Sequence, residues 1–161
     1  MADIHIEEFY KDVAIALVQL YGAFPRRVNL FVEDIAGADE PDEFGLHSRR
    51  HMACFGALLW LSEEGLLRYV DTIRQDALDQ AVLTRAAFIR LSSPAGSALT
   101  AEIAPQALAS AAKAPPSIKQ DFSSFIHLFR EALRSGSSAQ ISRIVHATFF
   151  NAGAFDNASA N

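Results

Sequence analysis

GLHSRRHMACFGALLWLSEEGLLRYVDTIRQDALDQAVLTRAA, residues 45–87, is the stretch whose reading decides the fold. Ser48 stands where a helix cap belongs, ahead of a run from Arg49 to Leu61 with helical periodicity. At about 100° per residue, Met52, Phe55 and Leu59 share one side, with Leu58 at its margin. Arg49, Ala53, Gly56 and Trp60 fall roughly opposite, and small residues on such a stripe let another backbone approach closely. Gly65, tolerant of the left-handed conformation, ends the helix. After it, Leu67, Tyr69 and Ile73 alternate with Arg68, Val70 and Thr72, as in a strand with one buried face. Residues 74–77 are polar enough for a turn, and 78–82 can return as the second strand. Thr84 then caps a short helix carrying Phe88, Ile89 and Leu91.

Upstream, Asp3 can cap a first helix, with Glu7 and Glu8 well placed against its positive end. Ile6, Phe9, Tyr10, Val13, Leu17, Leu20 and Tyr21 give it one broad apolar face, and Gly22 and Pro25 end it. Residues 28–35 read as a short strand leading into a second helix closed by Gly37. The order is therefore helix, strand, helix, helix, hairpin, helix. Trp60-Leu61 at a helix end, Glu64-Gly65-Leu66 after it and Leu83-Thr84 at the next helix start carry a resemblance. Over roughly residues 5–92 the chain resembles the winged helix-turn-helix superfamily. That resemblance implies a third helix that enters the DNA major groove, a wing beside it, and dimerisation through added helices.

The fold class expected is mainly α (α+β): a winged helix-turn-helix with a C-terminal helical hairpin. The organisation expected is a winged helix-like domain over 1–93, a Pro/Ala-rich connector over 94–116, and a helical hairpin over 117–152. Pro94, Gly96, Pro105, Pro115 and Pro116 punctuate the connector, which holds one short helix near residues 107–113. In the tail, Ser117 caps a helix whose Ile118, Phe122, Phe125, Ile126, Phe129 and Leu133 form a continuous stripe. Gly136 ends it, and Ser138 caps another with Ile141, Ile144, Val145, Thr148 and Phe149. Those phenylalanines must be covered, either by the first helix of the same chain or by a second copy; a homodimer is expected. The last residues, 157–161, are expected to fray.

Composition narrows the function classes. The chain has 161 residues, half of them hydrophobic, with twelve Phe, so it folds around a real core. One cysteine, Cys54, excludes an intrachain disulfide. No apolar run reaches membrane-spanning length, and the N-terminus lacks the basic-then-apolar order of a signal peptide, so a cytoplasmic location and no membrane partner are expected. The net charge of −5 does not favour nucleic acid, and local patches must carry that case. Residues 33–43 hold six acids and no base, read as a solvated loop. Its spacing does not supply a calcium loop.

Two candidate interfaces follow. For DNA, Arg49, Arg50 and His51 sit at the head of the third helix, where arginine can read guanine, while Arg26, Arg27, Arg74 and Arg85 can meet phosphates. For a protein partner, the candidate surface is Ala53, Gly56 and Trp60, the acidic loop, or Phe122, Phe125 and Phe129. His47, His51 and Cys54, spaced four and three apart, would project together if the helix began by His47, which is ligand geometry for zinc. A structural site wants a fourth ligand and no second Cys-His cluster exists, so no metal and no cofactor are expected. No phosphate loop, nucleophile elbow or His-Glu-x-x-His is present, and Cys54 with His51 lacks an orienting third group, so an enzyme is not expected.

Overall fold

The computed structural model describes residues 3–111, 115 and 123–151. The chain divides into two compact units, Met1–Ala87 and Phe88–Asn161. The division falls inside a helix rather than at the expected boundary near residue 93.

The first unit is α+β. Helix α1 (Ile4–Ala23) buries Val13, Ala14, Ala16, Leu17 and Leu20. Asp3 occupies its N-cap position without a side-chain cap bond. Strand β1 (Val28–Phe31) runs directly into the short α2 (Val32–Ala36), closed by Gly37 at φ 92°. A loop then leads to α3 (Arg49–Glu63), whose cap is the expected one: the Ser48 hydroxyl accepts from the His51 amide.

The chain leaves α3 through a glycine-dependent cap. Gly65 sits at φ 76°, its N–H donates to the Ser62 carbonyl, and the Leu66 N–H donates to the Leu61 carbonyl at 2.9 Å. That pair of hydrogen bonds satisfies the Leu61 and Ser62 carbonyls at the helix end, and Leu61 and Leu66 are both buried.

A three-stranded return follows. β2 (Leu67–Arg68) and β3 (Asp71–Ile73) both pair antiparallel with β4 (Ala77–Leu83) in one unbroken register: Leu67 opposite Leu83, Ile73 opposite Ala77. The sequence predicted one continuous first strand, which in the structure is broken at Tyr69 and Val70. Opposite the break, Gln80 is left-handed at φ 54°, and its freed N–H is taken by the Asn29 side chain of β1. β4 is central, with β1 on its other side, giving the order β1-β4-β2. Thr84 then does two things: its hydroxyl donates to the Gly65 carbonyl and accepts from the Ala87 amide. The start of α4 (Arg85–Ser92) is thereby tied to the end of α3.

The second unit is helical. The expected connector is more ordered than its prolines suggest. It forms α5 (Ser97–Ile103) and α6 (Pro105–Ala111), with Leu99 and Ile103 buried. Pro105 opens α6 at a position where a missing N–H does no harm. The next described helix, α7 (Phe125–Ser135), is capped by Ser124, which pairs with Pro94 in a β-bridge. Ser117, Ile118 and Phe122 lie outside the described residues, as do 157–161. Gly136, left-handed at φ 71°, ends α7 as expected. Ser137, one residue before the expected cap, caps α8 (Ser138–Val145), which passes into a π-turn, His146–Phe150. Arg90 packs its guanidinium 4.5 Å from the Phe125 ring centre and donates to the Thr148 carbonyl at 2.8 Å.

Candidate functional site

The head of α3 and the loop before it gather most of the polar chemistry of the first unit. Arg50 lies one residue into the helix and turns toward α1. Its two terminal nitrogens donate to the two oxygens of Asp12, one at 2.7 Å, and its Nε lies 3.8 Å from Glu8. Asp12 is 1% exposed, so the forked contact answers a buried carboxylate that would otherwise stand unpaired. The hydrogen bond to Asp12 raises the Arg50 pKa further, against some loss of solvent. Cys54, one turn on, is buried beside this pair. Burial first, and then the negative charge of Asp12, push its thiol up to about 12. A thiol so disposed stays protonated, which suits neither a nucleophile nor a metal ligand.

His47 and His51 go elsewhere. The helix begins at Arg49, so His47 lies in the extended approach and not on the helix, and the trio with Cys54 that the spacing offered does not assemble. The two imidazoles instead stack face to face, 3.9 Å between ring centres and 7° from parallel. One edge of the stack meets Asp39: His47 Nδ1 is 2.8 Å and His51 Nδ1 3.8 Å from the same carboxylate oxygen. The other edge meets the hairpin turn, where His47 Nε2 lies 3.1 Å from Asp76 and His51 Nε2 lies 2.7 Å from the Gln75 carbonyl. His51 is 2% exposed and its Nδ1 has no hydrogen-bond partner. Asp39 has its pKa held below the ordinary carboxylate value by hydrogen bonding from the Ser48 side chain, opposed by partial desolvation and helped by His47. The stack opens onto a cleft of about 630 Å³ whose walls include Phe31, Glu33, Pro41, Gly45 and Arg74.

The loop between α2 and α3 is built rather than merely solvated. One Asp42 oxygen accepts from the Phe44 and Leu46 amides, both at 2.9 Å, and the Asp42 N–H donates to the Leu46 carbonyl. This fold holds Phe44 and Leu46 outward, 78% and 64% exposed.

The sequence-predicted residues divide accordingly. Arg49, Arg26, Arg27, Arg74 and Arg85 are exposed, with Arg74 on the hairpin turn. Arg50 is held by Asp12 with its side chain 32% exposed, and His51 is buried. Ala53 and Gly56 are exposed, while Trp60 is half-buried with its ring edge-on to Phe9, 5.3 Å between centres. Phe125 and Phe129 are core residues, 4% and 0% exposed, and so form no surface. Phe122 lies outside the described residues. Sequence reasoning missed Asp12, Asp39, Asp42 and Asp76. Asp42 alone had a local signal, an Asx turn ahead of Gly45. No helix among the described residues is long and apolar enough to cross a membrane.

Comparison with protein-family models, with curated proteins and with solved structures finds no match for this chain.

Proposed function

We propose that residues 4–83 form a winged helix-turn-helix and that the chain works as a non-catalytic protein-interaction module rather than as a reader of DNA. The topology supports the first half: α1, β1, α2, α3 and then a hairpin whose second strand lies centrally, in the order β1-β4-β2. The observation that carries the second half is the inward commitment of the head of α3. Arg50 is spent on buried Asp12 and His51 on the hairpin turn, so two of the three side chains expected to reach bases face the protein. The adjoining loop offers Phe44 and Leu46 instead, apolar side chains held in solvent by the Asp42 bonds, as a docking element would be.

Five exposed arginines (Arg26, Arg27, Arg49, Arg74 and Arg85) favour DNA as the second reading, through phosphate contacts. Polarisation binding to mixed-sequence duplex DNA, at low and then moderate salt, separates the two. Phosphate attraction alone gives weak binding that moderate salt erases. Binding that survives moderate salt with a sequence preference, and loses that preference in Arg49→Ala, overturns the protein-interaction reading.

A further inference from the structure

We propose that Asp39, His47 and His51 form a binding site for a single divalent transition-metal ion of the zinc type, open to the cleft beside the hairpin turn. This site is independent of the protein-interaction reading above.

His51 is the innermost of the three. The Gln75 carbonyl can only accept, so the ring nitrogen 2.7 Å from it, Nε2, must carry the proton. A neutral ring then has its lone pair on Nδ1. That atom is buried, bonds to nothing, and has the Asp39 carboxylate oxygen 3.8 Å away. Two acceptors facing each other in a solvent-poor site repel, and leaving a buried polar atom unpaired costs about 1–3 kcal/mol. A cation between them removes both penalties.

His47 joins it differently. Its Nδ1 lies 2.8 Å from Asp39, a hydrogen-bond distance, and its Nε2 lies 3.1 Å from the Asp76 carboxylate. An incoming cation displaces the proton between Nδ1 and Asp39, and the proton left on Nε2 is donated to Asp76. An imidazole whose rear N–H is held by a carbonyl or carboxylate is the usual support of a metal-bound histidine, because it fixes the tautomer and raises the basicity of the front nitrogen. One ligand atom from each of Asp39, His47 and His51 can be chosen so that all lie within 4.8 Å of one another. Bond lengths of about 2.0–2.2 Å bridge at most about 4.4 Å, so the set must draw in slightly to hold one ion.

Two imidazoles and one carboxylate suit zinc, cobalt(II), nickel(II) or iron(II) and are poor for calcium or magnesium. Parallel rings cannot both aim at one ion, so binding must open the stack. His51 is locked by Gln75, which leaves His47, 17% exposed, to swing. The remaining coordination position would face the cleft, which has Glu33 on its wall.

The test is titration of the full chain, first stripped with chelator, with zinc and with cobalt(II). The expected result is one ion per chain, with affinity lowered at least tenfold in both His47→Gln and Asp39→Asn. Asp76→Asn, acting through His47, weakens binding about ten- to a hundredfold. His5→Ala and Cys54→Ser keep the wild-type affinity. In the unaltered protein, the nitrogen NMR signal of His51 Nδ1 moves on zinc addition while Nε2 stays protonated, a readout that needs no variant to fold. An absence of binding, wild-type affinity in His47→Gln and Asp39→Asn, a cobalt–thiolate absorption band, or an unmoved His51 Nδ1 signal each overturns the site.

Discussion

Asp39 shows how far a single residue can depart from what its neighbours in sequence suggest. It sits in an acidic run that reads as solvated, yet one of its oxygens lies 2.8 Å from His47 Nδ1 and 3.3 Å from the Ser48 amide nitrogen. The lowered pKa gives a direction for pH. A carboxylate depressed on folding stabilises the fold above its unfolded value, here 3.8, and that stability is lost as pH falls through the folded value. In chelator-treated samples, urea unfolding should therefore show wild type more stable than Asp39→Asn at pH 7, with the difference shrinking below about pH 4. A difference that persists at about pH 3 contradicts the pairing. His47, His51 and Cys54 were legible as a coincidence of spacing. Only two of the three meet, because the helix starts after His47, and helix starts are the least certain part of a periodic pattern. Asp39 and Asp76 were not legible, since nothing local says that a loop and a hairpin turn will close on the same two rings.

Elements were read best where glycine, serine and threonine punctuate them. Gly65, Ser48, Thr84 and Gly136 all act where the pattern placed them, because caps satisfy backbone groups within a few residues of themselves. Gly65→Ala is the sharpest test at this scale. No atom lies within 4 Å of an added Cβ, so its effect comes from the left-handed backbone and not from a clash. The expected loss is about 1 kcal/mol by denaturant midpoint with the slope unchanged, and no loss contradicts the cap. Composition was a poorer guide. The Pro/Ala-rich stretch was read as a connector with one short helix near residues 107–113; α6 lies close to that place and α5 is added, because alanine is a strong helix former and Pro105 opens a helix rather than breaking one. Of the apolar stripe expected from Ile118 onward, Phe125, Ile126 and Phe129 lie buried in the described helix, which the Ser124 cap and its bridge to Pro94 begin.

At the scale of the whole molecule, the tail's phenylalanines were expected to find cover on the first helix of the same chain or on a second copy. Phe125 lies against Arg90, and Phe129 meets Phe149 edge-on, 6.3 Å between ring centres, so that demand is met within the second unit. Light scattering should give the mass of one 17.6 kDa chain. Twice that mass contradicts the assignment of these side chains to the unit's own core. Helix-strand order was legible in the sequence, and the inward turn of the third helix's head was not, because Arg50 finds its partner 38 positions earlier in the chain. The claim that this helix is tied down rather than presented to a groove rests on that partnership. A double-mutant cycle on Asp12→Ala and Arg50→Ala, read by urea unfolding of the whole protein, measures it. Tied residues should show a coupling of about 1.5–3 kcal/mol, Arg50→Ala alone being strongly destabilising because it leaves buried Asp12 unpaired. Additive losses, with coupling near zero, would leave Arg50 free and return the head of α3 to the groove.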